Sequence, residues 1–226
     1  MREGQKKTVV RKQKEQAERR KAILASAREA FFDRGFMAAT MDGIADGCDL
    51  AKGTIYLYFK SKEELYVSIM AEGMGLLKKD FDRIRDLPLP GDVLLGEVLR
   101  AYYAFYEKNR KYFRIMFLSS HPDVRERVPD ELLRECMDSA RECMQVLSDV
   151  IEKGMEGGLF RKVNPWAFAN ILWSTVNGII MHYEQGPLYR DEILILPLRE
   201  MLLEALDLAL NGLRVPSCER RAAGAD

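Results

Sequence analysis

The feature that most limits the fold of this chain is the helical spacing of its apolar residues, which persists along most of its 226 residues. Between residues 17 and 34, for example, Ile23, Ala27, Ala30 and Phe31 recur at steps of one, three or four, so they lie on one face of a helix. The alternation of apolar and polar residues that is typical of strands is scarce. The sequence therefore predicts an all-α protein with about nine helices and no sheet.

Glycines, prolines and capping residues give the approximate bounds of these helices. Gly35 is expected to end the first helix in a left-handed conformation, and Thr40 to cap the second. Asn164, followed by proline, is expected to open the eighth helix. The predicted helices cover residues 17–34, 41–48, 52–59, 61–85, 92–108, 111–119, 130–156, 165–185 and 190–212.

Charge is distributed unevenly along the chain. The formal net charge is zero, with 35 basic and 35 acidic residues, but residues 1–21 hold nine Lys or Arg and three Glu. A basic N-terminal segment can approach phosphates, and it can equally be a solubilising extension. We expect residues 1–16 to be a flexible basic arm.

Several classes of protein are disfavoured by the sequence. No apolar run is long enough to span a membrane, and the charged N-terminus has no apolar stretch behind it, unlike a secretory signal. The four cysteines lack the spacing of a metal or redox motif, which favours reduced thiols in the cytoplasm. The chain contains no zinc, phosphate-loop, dinucleotide or nucleophile-elbow motif. We therefore predict no enzyme activity, no metal and no cofactor.

Two short predicted helices, 41–48 and 52–59, are joined by a tight turn, which is the geometry of a helix-turn-helix. Ile55 and Phe59 are four residues apart and should pack on the first of these helices. The opposite face would then carry polar groups for bases and phosphates, with Gly53 allowing the backbone to approach DNA closely. Ser61 and Glu64 form a capping box at the start of the next helix, where Lys62 is placed to bind a phosphate.

These residues resemble the DNA-binding domain of the tetracycline-repressor (TetR) family. The resemblance covers about 45 residues from Ala30-Phe31-Phe32 onward and is most specific in the run KGTIYLYFKSKEEL, residues 52–65. It departs from the family pattern at Asp49 in the turn and at Ala51, which cannot cap a helix.

The resemblance implies a homodimer whose two recognition helices read successive major grooves of a palindromic operator. It also implies that Tyr56 and Lys62 contact phosphates, and that Lys52, Gly53 and Leu57 lie nearer the bases. The positions that match the DNA contacts of the family are Thr40, Lys52, Gly53, Thr54, Tyr56, Leu57, Tyr58 and Lys62.

We place the helix-turn-helix domain at residues 17–64, a ligand-binding and dimerisation domain at 65–213, and a flexible tail at 214–226. The larger domain is rich in aromatic and sulfur side chains, most of which are expected to form its core. Some of them are expected to line a pocket for a small hydrophobic or aromatic effector. The candidate ligand-binding residues are Tyr103, Phe113, Phe117, Met144, Trp173 and Asn177.

The last two long helices are expected to form the dimer interface. Their candidate interface residues are Trp173, Ser174, Gly178, Met181, Ile193, Leu196, Met201, Leu202, Leu206 and Leu210. The function predicted is that of a cytoplasmic transcriptional repressor that a small hydrophobic ligand releases from its operator. The position of the operator decides between repression and activation. The alternative is a helical adaptor that binds another protein and not DNA. Steep salt dependence of binding would distinguish the DNA-binding protein from the adaptor.

Overall fold

The computed structural model describes residues 2–118, 124 and 126–215. In this part of the chain the protein is helical, and the only pairing between extended segments is one isolated bridge between Phe160 and Arg214. The prediction of an all-α fold is thus confirmed. The ten α-helices of the described residues are α1 (Arg2–Ala38), α2 (Met41–Asp46), α3 (Lys52–Tyr58), α4 (Lys62–Arg85), α5 (Gly91–Lys108), α6 (Arg110–Phe113), α7 (Asp130–Glu156), α8 (Pro165–Glu184), α9 (Pro187–Tyr189) and α10 (Leu198–Leu213).

The chain forms two compact units. The first comprises the described residues of Met1–Gly73 and Ser120–Met137, and the second those of Met74–Ser119 and Asp138–Asp226. The first unit therefore extends beyond the boundary expected after residue 64. The physical reason is that the start of α4 belongs to the packing around α1: the Tyr66 ring lies edge-on to Phe31, at 5.6 Å between centroids, and to Phe36, at 4.9 Å.

Helix α1 begins at Arg2, so the prediction that residues 1–16 form an arm outside the first helix is wrong. Lys, Arg, Glu and Gln dominate this stretch and are all good helix formers, and Arg11 pairs with Glu15 one turn later at 2.9 Å. The positive φ expected at Gly35 is present, at 77°, and the helix resumes after it as far as Ala38. Gly35 therefore marks a kink near the end of α1.

The predicted helix 190–212 is divided in the structure. A π-helical turn, Arg190–Leu194, is followed by Ile195 at a φ of 63°, and α10 begins only at Leu198. Pro197 explains the division because its ring clashes with the preceding turn and it has no N–H to donate. At the other end of α10, the Val215 N–H donates to Leu159 O at 3.0 Å, so residue 215 is held by backbone pairing. The rest of the predicted tail, from 216 onward, lies outside the described residues.

Within the second unit, α5 and α7 approach each other backbone to backbone. A Cβ atom on Gly91 would lie 2.6 Å from the Cα of Gly154, a distance that real Cβ atoms do not show. Only glycine fits at Gly91 without moving a helix. This contact constrains the N-terminal end of α5, the helix that also carries the buried residue Tyr102.

Candidate nucleic-acid interface and effector site

The helix-turn-helix is formed by α2 and α3. The Thr40 side chain caps α2 by accepting a hydrogen bond from the Gly43 N–H at 3.1 Å, as predicted. Ser26 of α1 donates to the Ile44 carbonyl at 2.8 Å and holds α2 against α1. In the turn, Asp49 has a φ of 52°, so aspartate supplies the left-handed residue at this position. Helix α3 starts without a side-chain cap at Ala51, as the sequence also predicts.

Burial distinguishes two sides of α3 and of Phe59, the residue that follows it. Ile55 and Phe59 are completely buried, and the guanidinium of Arg20 lies 4.9 Å from the centre of the Phe59 ring. On the other side, Tyr56 is 39% exposed and Leu57 is 76% exposed. Of the remaining candidates on α3, Lys52 and Gly53 are exposed and Thr54 and Tyr58 are half-buried. The buried side is therefore as predicted, whereas the outward side is open at Lys52, Gly53 and Tyr56 and only partly open at Thr54 and Tyr58.

Lys52 is paired within the helix-turn-helix itself. Its ammonium group donates to the Asp42 carboxylate of α2 at 2.9 Å, and this hydrogen bond raises the pKa of the lysine. Both side chains are more than half exposed, so the pair contributes little to stability. Its effect is to hold a positive and a negative charge together on the face that carries the candidate DNA contacts.

Removal of the negative charge at Asp42 is expected to strengthen binding to DNA of any sequence. In Asp42→Asn the Lys52 ammonium is no longer neutralised, and one repulsion of phosphates is removed. We expect the affinity for a non-specific duplex to rise several-fold, with a steeper dependence on salt, in fluorescence anisotropy titrations. Asp46→Asn, which removes another exposed carboxylate from α2, is the matched control and should change less. Equal effects of the two substitutions would contradict a special role for the Asp42–Lys52 pair.

Lys62 has an intramolecular role that the sequence did not indicate. Its ammonium donates to the carbonyl oxygens of Phe36, at 2.7 Å, and Ala39, at 3.0 Å, and lies 4.4 Å from the centre of the Phe36 ring. A lysine has three N–H donors, so at most one remains for a phosphate. The contact of Lys62 with DNA stays a prediction, and the structure adds a connection from α4 to the end of α1.

The capping box at the start of α4 is formed with one change. The Glu64 N–H donates to Ser61 Oγ at 3.0 Å, as expected, but the Glu64 carboxylate accepts from the Lys60 N–H and not from that of Ser61. Ser61 also donates to the carbonyl of Arg127, whose guanidinium pairs with the nearly buried Glu63 at 3.3 Å. The segment before α7 thus packs on the first turn of α4, within the first unit.

In the second unit, four of the six candidate ligand-binding residues come together around Tyr102. The Tyr102 ring lies 4.8 Å from that of Trp173 and 6.3 Å from that of Phe113. Phe117 joins the cluster at 4.9 Å from Phe113 and 5.9 Å from Trp173. Asn177 supplies the polar group: the Tyr102 hydroxyl donates to its Oδ1 at 2.6 Å. We call these five residues the Tyr102 cluster.

A small cavity adjoins the Tyr102 cluster. It has a volume of about 20 Å³, which is room for about one water molecule. It is almost entirely apolar, and of the six candidates only Trp173 lines it. The lining residues are Phe81, Leu95, Val98, Leu99, Tyr102, Leu147, Leu172, Trp173 and Val176.

Two ligand candidates are placed differently. Tyr103 is half-buried and its hydroxyl donates to Glu107 at 2.8 Å, one turn further along α5. Met144 is buried, but it is absent from the cavity lining. Sequence reasoning missed Tyr102 and Phe81, because helical spacing alone does not show which aromatic residue of a buried stripe adjoins a cavity.

The Tyr102–Asn177 hydrogen bond should contribute measurably to stability. Burial raises the pKa of Tyr102 well above its ordinary value, so the hydroxyl remains a neutral donor. Tyr102→Phe leaves Asn177 Oδ1 buried without this donor, which is expected to lower the free energy of unfolding by about 1–3 kcal/mol. Urea denaturation followed by circular dichroism measures the change. Tyr103→Phe removes a hydroxyl from a half-buried site and should cost less than about 0.5 kcal/mol; equal losses would contradict the assignment.

Among the described residues, neither the cysteine thiols nor the potential metal ligands form a reactive or metal-binding site. Burial raises the pKa of the Cys143 thiol to about 12, which keeps it protonated and unreactive. Cys48 and Cys136 are also unpaired thiols, and Cys218 lies outside the described residues. Within the described ranges, no group of three or more His, Cys, Asp or Glu side chains could hold a metal ion. None of the helices described is long and apolar enough to cross a membrane.

Comparisons with known proteins agree with this geometry in both units. Residues 23–69 match the family model "Bacterial regulatory proteins, tetR family", and residues 95–206 match "Tetracyclin repressor-like, C-terminal domain". The chain is 26% identical over 179 residues to the HTH-type transcriptional regulator YhgD of Bacillus subtilis, covering 78% of this chain and 91% of the relative. It is 25% identical over 147 residues to the HTH-type transcriptional repressor KstR2 of Mycolicibacterium smegmatis, covering 64% and 69%.

A solved structure has the same fold. The transcriptional regulator FadR from Bacillus subtilis, in complex with stearoyl-CoA, superposes with a TM-score of 0.67 at 18% identity, covering 84% of this chain and 97% of that one. An N-terminal helix-turn-helix followed by a larger helical domain, each matched by a family model of bacterial regulators, identifies a DNA-binding transcriptional regulator. The chain belongs to the TetR family of such regulators.

Proposed function

We propose that this protein represses transcription in the bacterial cytoplasm as a homodimer on a palindromic operator, from which a small hydrophobic molecule releases it. The observation that carries the proposal is the division of α3. Ile55 and Phe59 are completely buried while Lys52, Gly53, Tyr56 and Leu57 face outward. A short helix fixed in this way presents its polar side to a major groove, as in other helix-turn-helix proteins.

The exposed apolar residues of α8 and α10 support the homodimer. Ile171 is 62% exposed and Leu208 is 71% exposed, and both line one apolar groove between these two helices. A second copy would bury this surface from water. Two of the residues expected at the interface, Leu202 and Leu206, are instead buried within the protomer, because the inward stripe of α10 runs through them. Leu203 and Leu208 take their place on the outward side.

The Tyr102 cluster is the proposed effector site. Its rings and the aliphatic lining of the neighbouring cavity suit an apolar chain, and the Tyr102–Asn177 pair offers one polar anchor. Because FadR of Bacillus subtilis is described in complex with stearoyl-CoA, long-chain acyl thioesters and the corresponding fatty acids are the first compounds to test.

Release requires that the effector bind the DNA-free state more tightly than the DNA-bound state. Helices α4 and α7 each contribute residues to both units, so a change in the arrangement of either helix can connect the two sites. In the DNA-bound state the two recognition helices must lie about one helical turn, roughly 34 Å, apart. A shift of these helices that alters this spacing would release the operator.

The test is a selection of bound duplexes from random DNA, followed by titration of the selected complex with acyl-CoA and fatty acids. We expect a two-fold symmetric sequence, binding that weakens steeply with salt, and release by at least one long-chain compound. Enrichment of no sequence, together with weak salt dependence, would favour the adaptor. A ligand that binds tightly but never alters operator affinity would contradict the effector mechanism.

A further inference from the structure

The N-terminal part of α1 is an exposed, basic helix that precedes the core of the helix-turn-helix. The first buried residue among the described side chains of α1 is Ile23, and every side chain from Val9 to Ala22 is exposed. Residues 9–21 carry six Lys or Arg and two Glu. The family match begins only at residue 23, so the part of α1 that precedes it, residues 2–22, lies outside the match. We call this part the basic extension.

The basic extension leaves the domain beside the end of the recognition helix. Arg20 lies over the ring of Phe59, the residue that directly follows α3. Residues 2–19 continue from this point for about 27 Å, at roughly 1.5 Å per helical residue. A duplex of that length carries about 16 phosphates, since it has one charge for about every 1.7 Å of axis.

We propose that the basic extension binds the phosphates of DNA that flanks the operator, outside the major grooves entered by α3. The positive charges of the extension complement the phosphates, and Arg20 beside Phe59 places the extension near the end of α3. The inference rests on the proposed function, in which α3 binds DNA. Phosphate contacts of this kind carry no sequence information. The extension therefore increases affinity and leaves the choice of operator to α3.

The test compares two lengths of the selected operator: a core duplex that ends two base pairs beyond the outermost specified base, and a long duplex with 15 further base pairs on each side. Wild-type protein is expected to bind the long duplex about tenfold more tightly and with a steeper salt dependence. Lys12→Gln/Lys14→Gln should lose this gain, and the salt slope should fall by about 0.9 for each phosphate that the protein no longer neutralises. Glutamine preserves helix propensity, and circular dichroism checks the helix content.

A control variant and the binding of the wild type to both duplexes distinguish a failure of the basic extension from a failure of the proposed function. Lys108→Gln/Lys162→Gln removes the same charge from exposed positions of the second unit and should keep the full gain from flanking DNA. If the wild-type protein gains nothing from the flanks, or if Lys12→Gln/Lys14→Gln keeps the gain, the proposed role is wrong. If the wild type binds neither duplex, the failure belongs to the proposed function and not to the extension.

Discussion

Gly53→Gln is expected to weaken operator binding by at least a hundredfold without destabilising the protein. Gly53 is exposed at the start of α3, and a Cβ atom built on it meets nothing within 4 Å beyond its chain neighbours and the backbone of its own helix. In the proposed complex DNA occupies the space beside Gly53, so a long side chain there would hold the backbone of α3 away from the bases. Loss of base contacts in two half-sites, at about 1–3 kcal/mol for each good contact, corresponds to such a decrease in affinity.

Substitution of Gly53 should raise the stability of the protein even though it lowers operator affinity. A glycine inside a helix is less favourable than alanine by about 1 kcal/mol, so Gly53→Ala should stabilise α3 while weakening DNA binding moderately. Operator affinity by anisotropy and the free energy of unfolding by urea denaturation give the two values. Gly212→Ala, at another site with no atom near the added Cβ, should stabilise α10 and leave operator affinity unchanged. Normal operator binding by Gly53→Gln would mean that α3 does not enter a groove.

Phe59→Ala is expected to destabilise the first unit by about 3–5 kcal/mol, the usual cost of removing a buried phenylalanine ring. Phe59 is completely buried, and its ring also provides the surface on which Arg20 rests. Loss of the ring leaves a cavity under the recognition helix. Of the two buried residues that position α3, only Ile55 then remains. The helix would then no longer be held in one orientation, and operator binding should be lost together with stability.

The control for this substitution lies two residues earlier. Leu57→Ala removes an apolar side chain that is 76% exposed, so it should change the free energy of unfolding by less than about 0.5 kcal/mol. Urea denaturation with circular dichroism, at one protein concentration for both variants, measures the difference. Similar losses from the two substitutions would show that burial does not divide α3 into two faces, and the interpretation of its outward face as a DNA-binding surface would fail.

The helix-turn-helix at residues 40–59 was largely predictable because its signals are local. The Thr40 cap, the left-handed Asp49 and the i, i+4 pair Ile55 and Phe59 are all set by residues within a few positions of each other. The start of α1 was missed because a run of charged helix formers looks the same in sequence whether it is helical or not. The hydrogen bonds of Lys62 to the Phe36 and Ala39 carbonyls were missed because they join residues more than 20 positions apart.

The second unit was predictable as a set of helices but not as a site. Phe113, Phe117 and Trp173 were identified from composition, and Asn177 from its place one turn after Trp173 on an apolar helix. The central position of Tyr102 depends on how α5 and α8 pack. The sequence did not show which residues of α10 face the core, for the same reason. A helix rich in leucine has several apolar stripes, and the helices packed against it determine which stripe is buried. The break between residue 194 and α10 could have been predicted from Pro197 alone, but the predicted helix 190–212 was drawn through this proline.

The tight packing beside Tyr102 bears on how quickly this regulator can respond. A cavity of about 20 Å³ holds one water, so the long-chain effector proposed for this site could enter only after aromatic rings had moved apart. The rate of that opening, and not the rate of collision, then limits association, and the observed rate constant levels off as the effector concentration rises. If the Tyr102 cluster is the effector site, the response of the regulator therefore depends on how often this site opens as well as on the effector concentration.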